Sequence, residues 1–401
     1  MEKAMELPAH VPSDLAIEFD IFAPPGVEQD FHAAWMALQS QAPAYADIVW
    51  STSNGGHWIP IRGSAIHAFF SDHENFSSRF ATLPRERALL YTAKPQTLDP
   101  PRHKHFRGLL SPVFAPKRVQ ALENRIRAMA IELIDGIAAK GGCEFNAEYC
   151  AQLPIQVFMS LVDLPLIDAT MLKNWTDQLA RPDELSLEDI YANYHGYLAP
   201  YMAARKANPG DDLLSLLVNG SVEGRPVTDD EAMDLCTQVL FGGLDTVAAL
   251  IGFVVHFLAR SADHQRQLRE SPSLIAHAIP EFVRRFPIAT PARMVARDYE
   301  HNGVLMREGD IVAMGTMVHG LDPKEFPLPL EVDFDRQLAP VSTFGNGIHQ
   351  CPGHFLARAE LRITLEEWLS RIPEFRIADP AAVTMRGGQV GLITHLPLTW
   401  S

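Results

Sequence analysis

The stretch from Thr228 to about Arg260 constrains the fold more than any other part of this 401-residue chain. It opens with Thr228-Asp229-Asp230-Glu231, which predicts a capping box with acidic residues at the positive end of a helix dipole. Beyond this start, apolar residues cover nearly every face, which is typical of a helix buried on all sides. At about 1.5 Å per residue, such a helix would be close to ~50 Å long. The sequence therefore predicts one long buried helix that crosses the whole molecule.

The middle of this predicted helix carries residues that weaken it. Gly242-Gly243 is followed by Asp245-Thr246; each interior glycine costs roughly 1 kcal/mol relative to alanine, and a buried aspartate costs more unless it is paired. One interpretation is that the glycines leave an opening that the function uses. The alternative is that they allow close packing, while Thr246 hydrogen-bonds to a carbonyl one turn earlier. The helix taken alone favours neither interpretation.

The rest of the chain indicates a mainly α fold with small β-sheets, in a single domain over residues 1–401. Apolar residues recur at three- and four-residue spacing in Val119–Ala139, which predicts another helix. Short strands are predicted at Gly56–Ile61, at Met294–Val304 around a turn at His301-Asn302-Gly303, and at Ile311–Met314.

Composition excludes several classes of protein. The net charge of −15 and the lack of a basic run argue against nucleic acid and against an anionic membrane surface. The charged amino terminus has no apolar h-region, so we expect neither a signal peptide nor a membrane anchor. Four scattered cysteines without a C-x-x-C pair suggest neither a disulfide framework nor a zinc ribbon. We expect a soluble cytoplasmic protein.

A second feature, the glycine-rich segment Thr343–Gly353, leads directly into a predicted helix from His354 to about Ser370. Cys351 lies at the amino terminus of that helix, where backbone amides are expected to stabilise a thiolate and lower the pKa of the thiol. Such a cysteine suits a nucleophile or a metal ligand, whereas a lone cysteine is more often a buried structural residue. Three glycines within nine residues favour the functional interpretation, because they imply tight backbone turns around the sulfur.

These residues resemble a known family. The run F-G-N-G-I-H-Q-C-P-G resembles the cysteine-ligand loop of the cytochrome P-450 family of haem-thiolate monooxygenases, F-x-x-G-x-x-x-C-x-G. Gly242–Thr246 resembles the oxygen-activating groove of the family's long central helix, and Glu281-Phe282-Val283-Arg284 resembles its E-x-x-R pair. Further segments are similar to the bacterial class I camphor hydroxylase subgroup: Ala9–Pro12, Asn54–Ile59, Asp99–Pro101, Asn219–Glu231 and Leu396–Leu398. The resemblance implies the cytochrome P-450 fold, with the long central helix over the haem.

The resemblance implies haem b as cofactor, with Cys351 as the axial thiolate that ligates the iron and favours O–O cleavage. Phe344 would pack against the haem, and the amides of the turn at Gly353 would hydrogen-bond to the sulfur. The two haem propionates need cationic partners, and the implied set is His103, Arg107, Arg293 and His349. Asp245 and Thr246 would form an acid–alcohol pair that relays protons. Glu281 and Arg284, with Arg336, would hold the fold, although Pro280 lies inside their helix.

The implied substrate is a compact oxygenated monoterpenoid, either a bicyclic ketone such as camphor or a bicyclic ether such as cineole. Tyr91 would donate a hydrogen bond to its oxygen, and the other implied pocket residues are Thr82, Gln238, Phe241, Ile288, Ala289, Gln389 and Val390. The implied partners are O2 and a [2Fe-2S] ferredoxin with its flavin reductase, with Lys104, Arg107 and Arg358 as candidates for docking. The region from Asn193 to Lys206 would form a mobile lid.

Two other functions remain open from the sequence. A non-catalytic haem-thiolate protein could bind a ligand or sense a gas, but it would not need the proton relay of Asp245 and Thr246. A haem-free hydrolase could use Cys351 and His349 as a dyad. Two residues of spacing within a glycine-rich turn aim the imidazole poorly at the sulfur, and no oxyanion arrangement is evident.

Overall fold

The computed structural model describes residues 7–91, 93–180 and 185–401, so the first six residues of the charged amino terminus lie outside it. Helices dominate the fold, as the sequence predicts. In chain order they are α1 (Phe31–Gln41), α2 (Gly63–Ser71), α3 (Arg85–Leu90), α4 (Arg102–Leu110), α5 (Pro116–Ala138), α6 (Gln152–Val162), α7 (Ala169–Ala180), α8 (Leu187–Ala207), α9 (Leu213–Val218), α10 (Asp229–Leu244), α11 (Thr246–Leu258), α12 (Ala262–Glu270), α13 (Leu274–Arg285), α14 (Met317–Gly320) and α15 (His354–Arg371).

Short strands form small sheets around this helical core. They are β1 (Ala16–Ile17), β2 (Ile48–Ser51), β3 (His57–Pro60), β4 (Phe76–Ser77), β5 (Gly142–Glu144), β6 (Ser221–Val222), β7 (Arg225–Pro226), β8 (Ala292–Val295), β9 (Tyr299–His301), β10 (Val304–Met306), β11 (Ile311–Ala313), β12 (Phe375–Ile377), β13 (Thr384–Arg386), β14 (Leu392–His395) and β15 (Pro397–Trp400). The largest sheet has the strand order β1-β2-β3-β11-β8-β4. All three predicted strand regions are present. The predicted turn joins β9 to β10, with positive φ at both Asn302 and Gly303, as a two-residue hairpin turn requires.

The central helix differs from the prediction, because it consists of two helices instead of one. The capping box at Thr228 and Glu231 is present at the start of α10. The helix is interrupted at Asp245, whose φ of −122° and ψ of −38° depart from helical values, and α11 begins at Thr246. Asp229–Leu258 is long and apolar enough to cross a membrane, yet 67% of its most apolar window is buried inside the fold, as in a core helix.

The predicted ion pair of α13 forms a buried triad. The Arg284 guanidinium donates to both carboxylate oxygens of Glu281 at 2.6 and 2.7 Å, and Arg336 donates to Glu281 Oε1 at 3.1 Å. Arg284 also donates to the backbone carbonyls of Gly320, Pro329 and Glu331. Pro280 does not interrupt α13, which continues to Arg285. The triad therefore connects α13 to the segment that precedes the cysteine loop.

The segment predicted as a mobile lid, residues 193 to 206, lies within the continuous helix α8, which includes Pro200; its mobility stays a prediction. Tyr194, Leu198 and Met202 are buried along its inner face. This packing ties the segment to the second of two hydrophobic core clusters formed by the described residues.

Candidate active site

A cavity of about 310 Å³ lies between α10–α11 and the loop before α15. Its wall brings together residues that are more than 100 positions apart in the sequence, including Gly242, Thr246 and Cys351. The remaining wall is largely apolar, with Phe158, Val239, Leu250, Phe286 and Leu356 among its residues. A mostly apolar cavity with a few convergent polar groups is the usual form of a small-molecule or cofactor site.

The cysteine loop is folded tightly against α2. Gly345 and Gly347 have φ of +69° and +65°, which glycine adopts readily. A Cβ on Gly347 would also lie 3.0 Å from the carbonyl oxygen of Phe70. The Cys351 amide donates to the Phe344 carbonyl at 2.9 Å, which closes the loop and sets the sulfur at the start of α15. Both glycines are therefore required by the turn, as the sequence indicates.

Burial and the surrounding donors shift the pKa of the Cys351 thiol in opposite directions. Burial raises the pKa of the thiol, whereas the backbone amides of Gly353 and His354 and the guanidinium groups of Arg107 and Arg358 act to lower it. The prediction of a lowered pKa is wrong for the protein alone, because burial is the largest effect. The predicted amide contacts are nevertheless present, and they are donors that would stabilise negative charge on the sulfur.

The opposite wall shows two different roles for the adjacent glycines. A Cβ on Gly242 would meet nothing within 4 Å, whereas one on Gly243 would lie 2.1 Å from Cδ2 of Phe158. Thr246 Oγ1 donates to the Gly242 carbonyl at 3.0 Å, one turn earlier. Gly242 therefore leaves open space beside the cavity, and Gly243 allows close packing against Phe158. The interpretation as an opening applies to Gly242, and the interpretation as close packing applies to Gly243.

Asp245 lies behind this wall and does not line the cavity. Its side chain is 1% exposed, and its Oδ1 is 3.7 Å from Lys173 Nζ on α7. Lys173 also donates to both carboxylate oxygens of Asp177 at 2.7 and 2.8 Å. The buried carboxylate is thus paired with a cation whose side chain is 19% exposed.

One edge of the cavity concentrates donors and positive charge. His103, Arg107, Arg293 and His349 all line it, and the rings of His103 and His349 lie 4.2 Å apart between centroids. Within the described residues, Nε2 of each of these histidines is buried without a hydrogen-bond partner. Burial lowers the pKa of Arg293 to about 10, so it remains a cation at neutral pH. Buried donors and a buried cation together call for an anionic group at this edge.

Comparisons with known proteins agree with this geometry. The family model for Cytochrome P450 matches residues 146–379. The chain is 34% identical to the probable cytochrome P450 127A1 of Sinorhizobium fredii, over 100% of this chain and 98% of that relative. This chain belongs to the cytochrome P450 family. Among solved structures, CYP101C1 superposes with a TM-score of 0.91 at 43% identity, and CYP101J2 with 0.91 at 41%. Each comparison covers 99% of this chain and 100% of the other.

As a cytochrome P450, the protein is a monooxygenase that binds haem b, and the residues of the cavity fit that group. Cys351 would supply the thiolate ligand, and Phe344 and Gly353 lie beside it on the wall. The unpartnered Nε2 atoms of His103 and His349, together with the Arg293 cation, are suited to the two propionates. When bound, the haem supplies activation of O2 for insertion of one oxygen atom into a substrate.

The predicted substrate residues divide into two groups in this P450. Two do not reach the cavity: Thr82, whose Oγ1 donates to the Leu83 carbonyl at 3.3 Å, and Tyr91. The others line it, namely Gln238, Phe241, Ile288, Ala289, Gln389 and Val390. The Tyr91 hydroxyl is within hydrogen-bond distance of Oε1 of Gln96, at 3.2 Å, and of Gln238, at 3.3 Å. The phenol therefore meets two wall residues instead of the cavity itself.

Three further residues of the site were not predicted from the sequence. Gln96, whose side chain meets the Tyr91 hydroxyl, lines the cavity, and Glu360 lines it from α15. Burial raises the pKa of Glu360 to about 8, and its Oε2 finds no hydrogen-bond partner among the described residues. Lys173 pairs with Asp245. No local signal distinguishes them, because α15 carries three glutamates and the two other residues lie outside any motif.

Proposed function

We propose that this P450 hydroxylates an unactivated C–H bond of a small oxygenated monoterpenoid, camphor- or cineole-like, in the bacterial cytoplasm. The observation that carries the proposal is the cavity itself, which joins the sulfur of Cys351 to an apolar end formed by Phe158, Phe241, Ile288 and Val390. An apolar pocket with few polar groups favours a compact apolar skeleton with one oriented oxygen. Similarity to CYP101C1 and CYP101J2 over the whole chain supports the same subgroup.

Proton supply to the cavity is proposed to run through Asp245 and Thr246. The Asp245 carboxylate is buried beside Lys173, which reaches partly to solvent and can bring a proton to it. Thr246 Oγ1 lies on the cavity wall, so its hydroxyl can pass a proton to oxygen there. The pairing explains why the helix interruption falls at Asp245: the carboxylate faces α7 while the adjacent threonine faces the cavity.

Electrons are proposed to come from a [2Fe-2S] ferredoxin and its flavin reductase. Of the three candidate docking residues, Lys104 is exposed on α4. Arg107 donates to the Gln350 carbonyl, and Arg358 bonds to His354 Nδ1 at 2.7 Å while its guanidinium lies 4.5 Å above the Phe344 ring. We therefore expect Lys104→Glu to slow reduction by an acidic ferredoxin, with Lys140→Glu, just beyond the carboxyl end of α5, as the matched control. Equal rates in both variants would remove Lys104 from the docking site.

A spectral titration tests the substrate class. Purified protein whose reduced carbon monoxide adduct shows the thiolate-ligated spectrum is titrated with camphor and with cineole, and a large low- to high-spin shift is expected with at least one. Turnover with the ferredoxin system should then give a hydroxylated product. A spin shift without any product would favour the non-catalytic ligand-binding alternative, and no shift with either compound would refute the monoterpenoid class.

A further inference from the structure

Most neutral side-chain donors on the described part of the cavity wall are already engaged. Each of three threonine hydroxyls donates to a backbone carbonyl: Thr246 to Gly242 at 3.0 Å, Thr316 to Ala289 at 2.8 Å and Thr343 to Val283 at 2.8 Å. The Gln389 amide donates to the Ala81 carbonyl at 3.2 Å. The oxygen of a ketone or an ether only accepts hydrogen bonds, so a substrate of either kind needs a donor from elsewhere on this wall.

Two amides on the wall, those of Gln96 and Gln238, share one partner behind it. Oε1 of Gln96 lies 3.2 Å and Oε1 of Gln238 lies 3.3 Å from the Tyr91 hydroxyl. Tyr91 is 4% exposed and absent from the cavity wall, whereas both glutamines line it. Burial raises the pKa of Tyr91, so the phenol keeps its proton at neutral pH. The amide oxygens are therefore held towards Tyr91, and the NH2 groups lie on the other side of each amide.

The amide nitrogens of these two glutamines are accessible donors. Nε2 of Gln96 and Nε2 of Gln238 donate to no other described residue, and neither belongs to the fully buried polar atoms that lack a partner. Both side chains are only partly buried. Because each NH2 group carries two N–H donors, each can serve a ligand oxygen from the wall.

Gln238 is the better placed of the two. It lies on α10 four residues before Gly242, so both residues share one face of the helix and are about 6 Å apart along its axis. Gly242 leaves open space beside the cavity, whereas Gln96 lies in the loop between α3 and α4. A compact bicyclic substrate that is held by its oxygen at Gln238 therefore reaches the open space beside Gly242 with its skeleton.

We propose that Gln238, in place of Tyr91, fixes the orientation of the substrate: Gln238 Nε2 donates to the carbonyl or ether oxygen, and Tyr91 is a positioning residue that holds the amide from behind the wall. This inference rests on the proposed function and deepens it, since it assigns the donor for the camphor- or cineole-like class. The apolar end of the cavity, which carries Phe241, Ile288 and Val390, receives the skeleton.

The test compares two ligands of one shape. Camphor or cineole, whichever gives the larger spin shift, is paired with its hydrocarbon analogue, in which a CH2 group replaces the carbonyl group or the ether oxygen. Dissociation constants for the haem-loaded protein are measured by spectral titration and by calorimetry. In Gln238→Met, the oxygenated ligand is expected to bind about three- to tenfold more weakly, the range for one neutral hydrogen bond, whereas the affinity for the hydrocarbon should be unchanged. Tyr91 keeps Gln96 Oε1 as an acceptor in this variant.

Gln267→Met is the matched control, because the same substitution at an exposed position of α12 lies outside the cavity wall and should leave both affinities unchanged. Haem content and the carbon monoxide spectrum verify that each variant is intact.

Three results would overturn the inference while leaving the substrate class in place. An equal loss of affinity for both ligands in Gln238→Met would mean that Gln238 only shapes the cavity, and no loss for either would mean that it makes no contact with the oxygen. A selective loss for the oxygenated ligand in Tyr91→Phe but not in Gln238→Met would assign the donor to the phenol. Failure of both camphor and cineole to bind would overturn the proposed substrate class together with the inference.

Discussion

The adjacent glycines of α10 allow one prediction with a built-in control, since the same substitution should have different effects at neighbouring positions. A Cβ on Gly243 would lie 2.1, 2.4 and 2.7 Å from Cδ2, Cε2 and Cγ of Phe158. Phe158 is 3% exposed, so its ring cannot move outward into solvent. A Cβ on Gly242 would meet nothing within 4 Å, because this residue faces the cavity.

The expected magnitudes follow from two contributions. Alanine is favoured over glycine within a helix by roughly 0.5–1 kcal/mol, and this gain is similar at both positions because they are neighbours in α10. Only Gly243→Ala adds overpacking against a buried ring, which typically costs about 1–3 kcal/mol. The difference in unfolding free energy between the two variants is therefore about 1–3 kcal/mol, with Gly242→Ala the more stable.

Urea unfolding of the haem-loaded proteins, followed by tryptophan fluorescence and by the haem absorbance, measures this difference. Gly242→Ala should unfold at the same urea concentration as the unmodified protein or at a slightly higher one, and Gly243→Ala at a clearly lower one. If the two variants had the same midpoint, or the reverse order, Phe158 would not be packed against Gly243 as described. Ligand binding should be affected in Gly242→Ala even though its stability is not reduced, because the added methyl group enters the cavity and should weaken binding.

Three further substitutions test other parts of the structure. Arg284→Met leaves the buried Glu281 carboxylate without its bidentate partner and should destabilise the protein by about 3–5 kcal/mol in urea unfolding; a loss below 1 kcal/mol would contradict the role of the triad. Burial raises the pKa of Glu360 from 4.5 to about 8, so the native state holds a proton that the unfolded state releases, and stability is lost as pH rises between these values. Glu360→Gln should therefore gain about 1.4 kcal/mol per pH unit over the unmodified protein from pH 5 to 8, and a pH-independent difference would refute this. Tyr91→Phe removes the proton that orders the amides of Gln96 and Gln238, and product analysis should show looser regioselectivity, whereas an unchanged product distribution would contradict it.

Local chemistry made the beginning and end of many elements predictable. The capping box at Thr228, the Asn302-Gly303 turn and the start of α15 after Gly353 each depend on residues within a few positions of one another. The interruption at Asp245 was not predictable in this way. Two glycines cost only about 2 kcal/mol in a helix, which packing of an apolar helix readily offsets, so the pattern cannot distinguish a bent helix from a broken one. The contact between Asp245 and Lys173 on α7 is tertiary.

The candidate site shows the same limit. Residues within motifs, such as Cys351, Thr246 and His349, line one cavity as expected. The roles of Glu360 and Lys173 could not be predicted, because an exposed charged residue and a buried one cannot be distinguished in the sequence. What buries Glu360 is the fold around α15, and what pairs Lys173 is a helix more than 70 residues further along the chain.

The position of a side chain near the pocket also does not determine which of its hydrogen-bond donors and acceptors are left for a ligand. Tyr91 lies at a place where a substrate donor is expected from resemblance, yet the acceptors within reach of its one hydroxyl proton are the amide oxygens of Gln96 and Gln238. Gln389, which the sequence marks only as an unusual polar lining residue, donates from its amide nitrogen to the Ala81 carbonyl across the chain, and its amide oxygen has no partner among the described residues. These contacts join pairs of residues more than 100 positions apart, so the balance of donors and acceptors that they set cannot be predicted from local sequence.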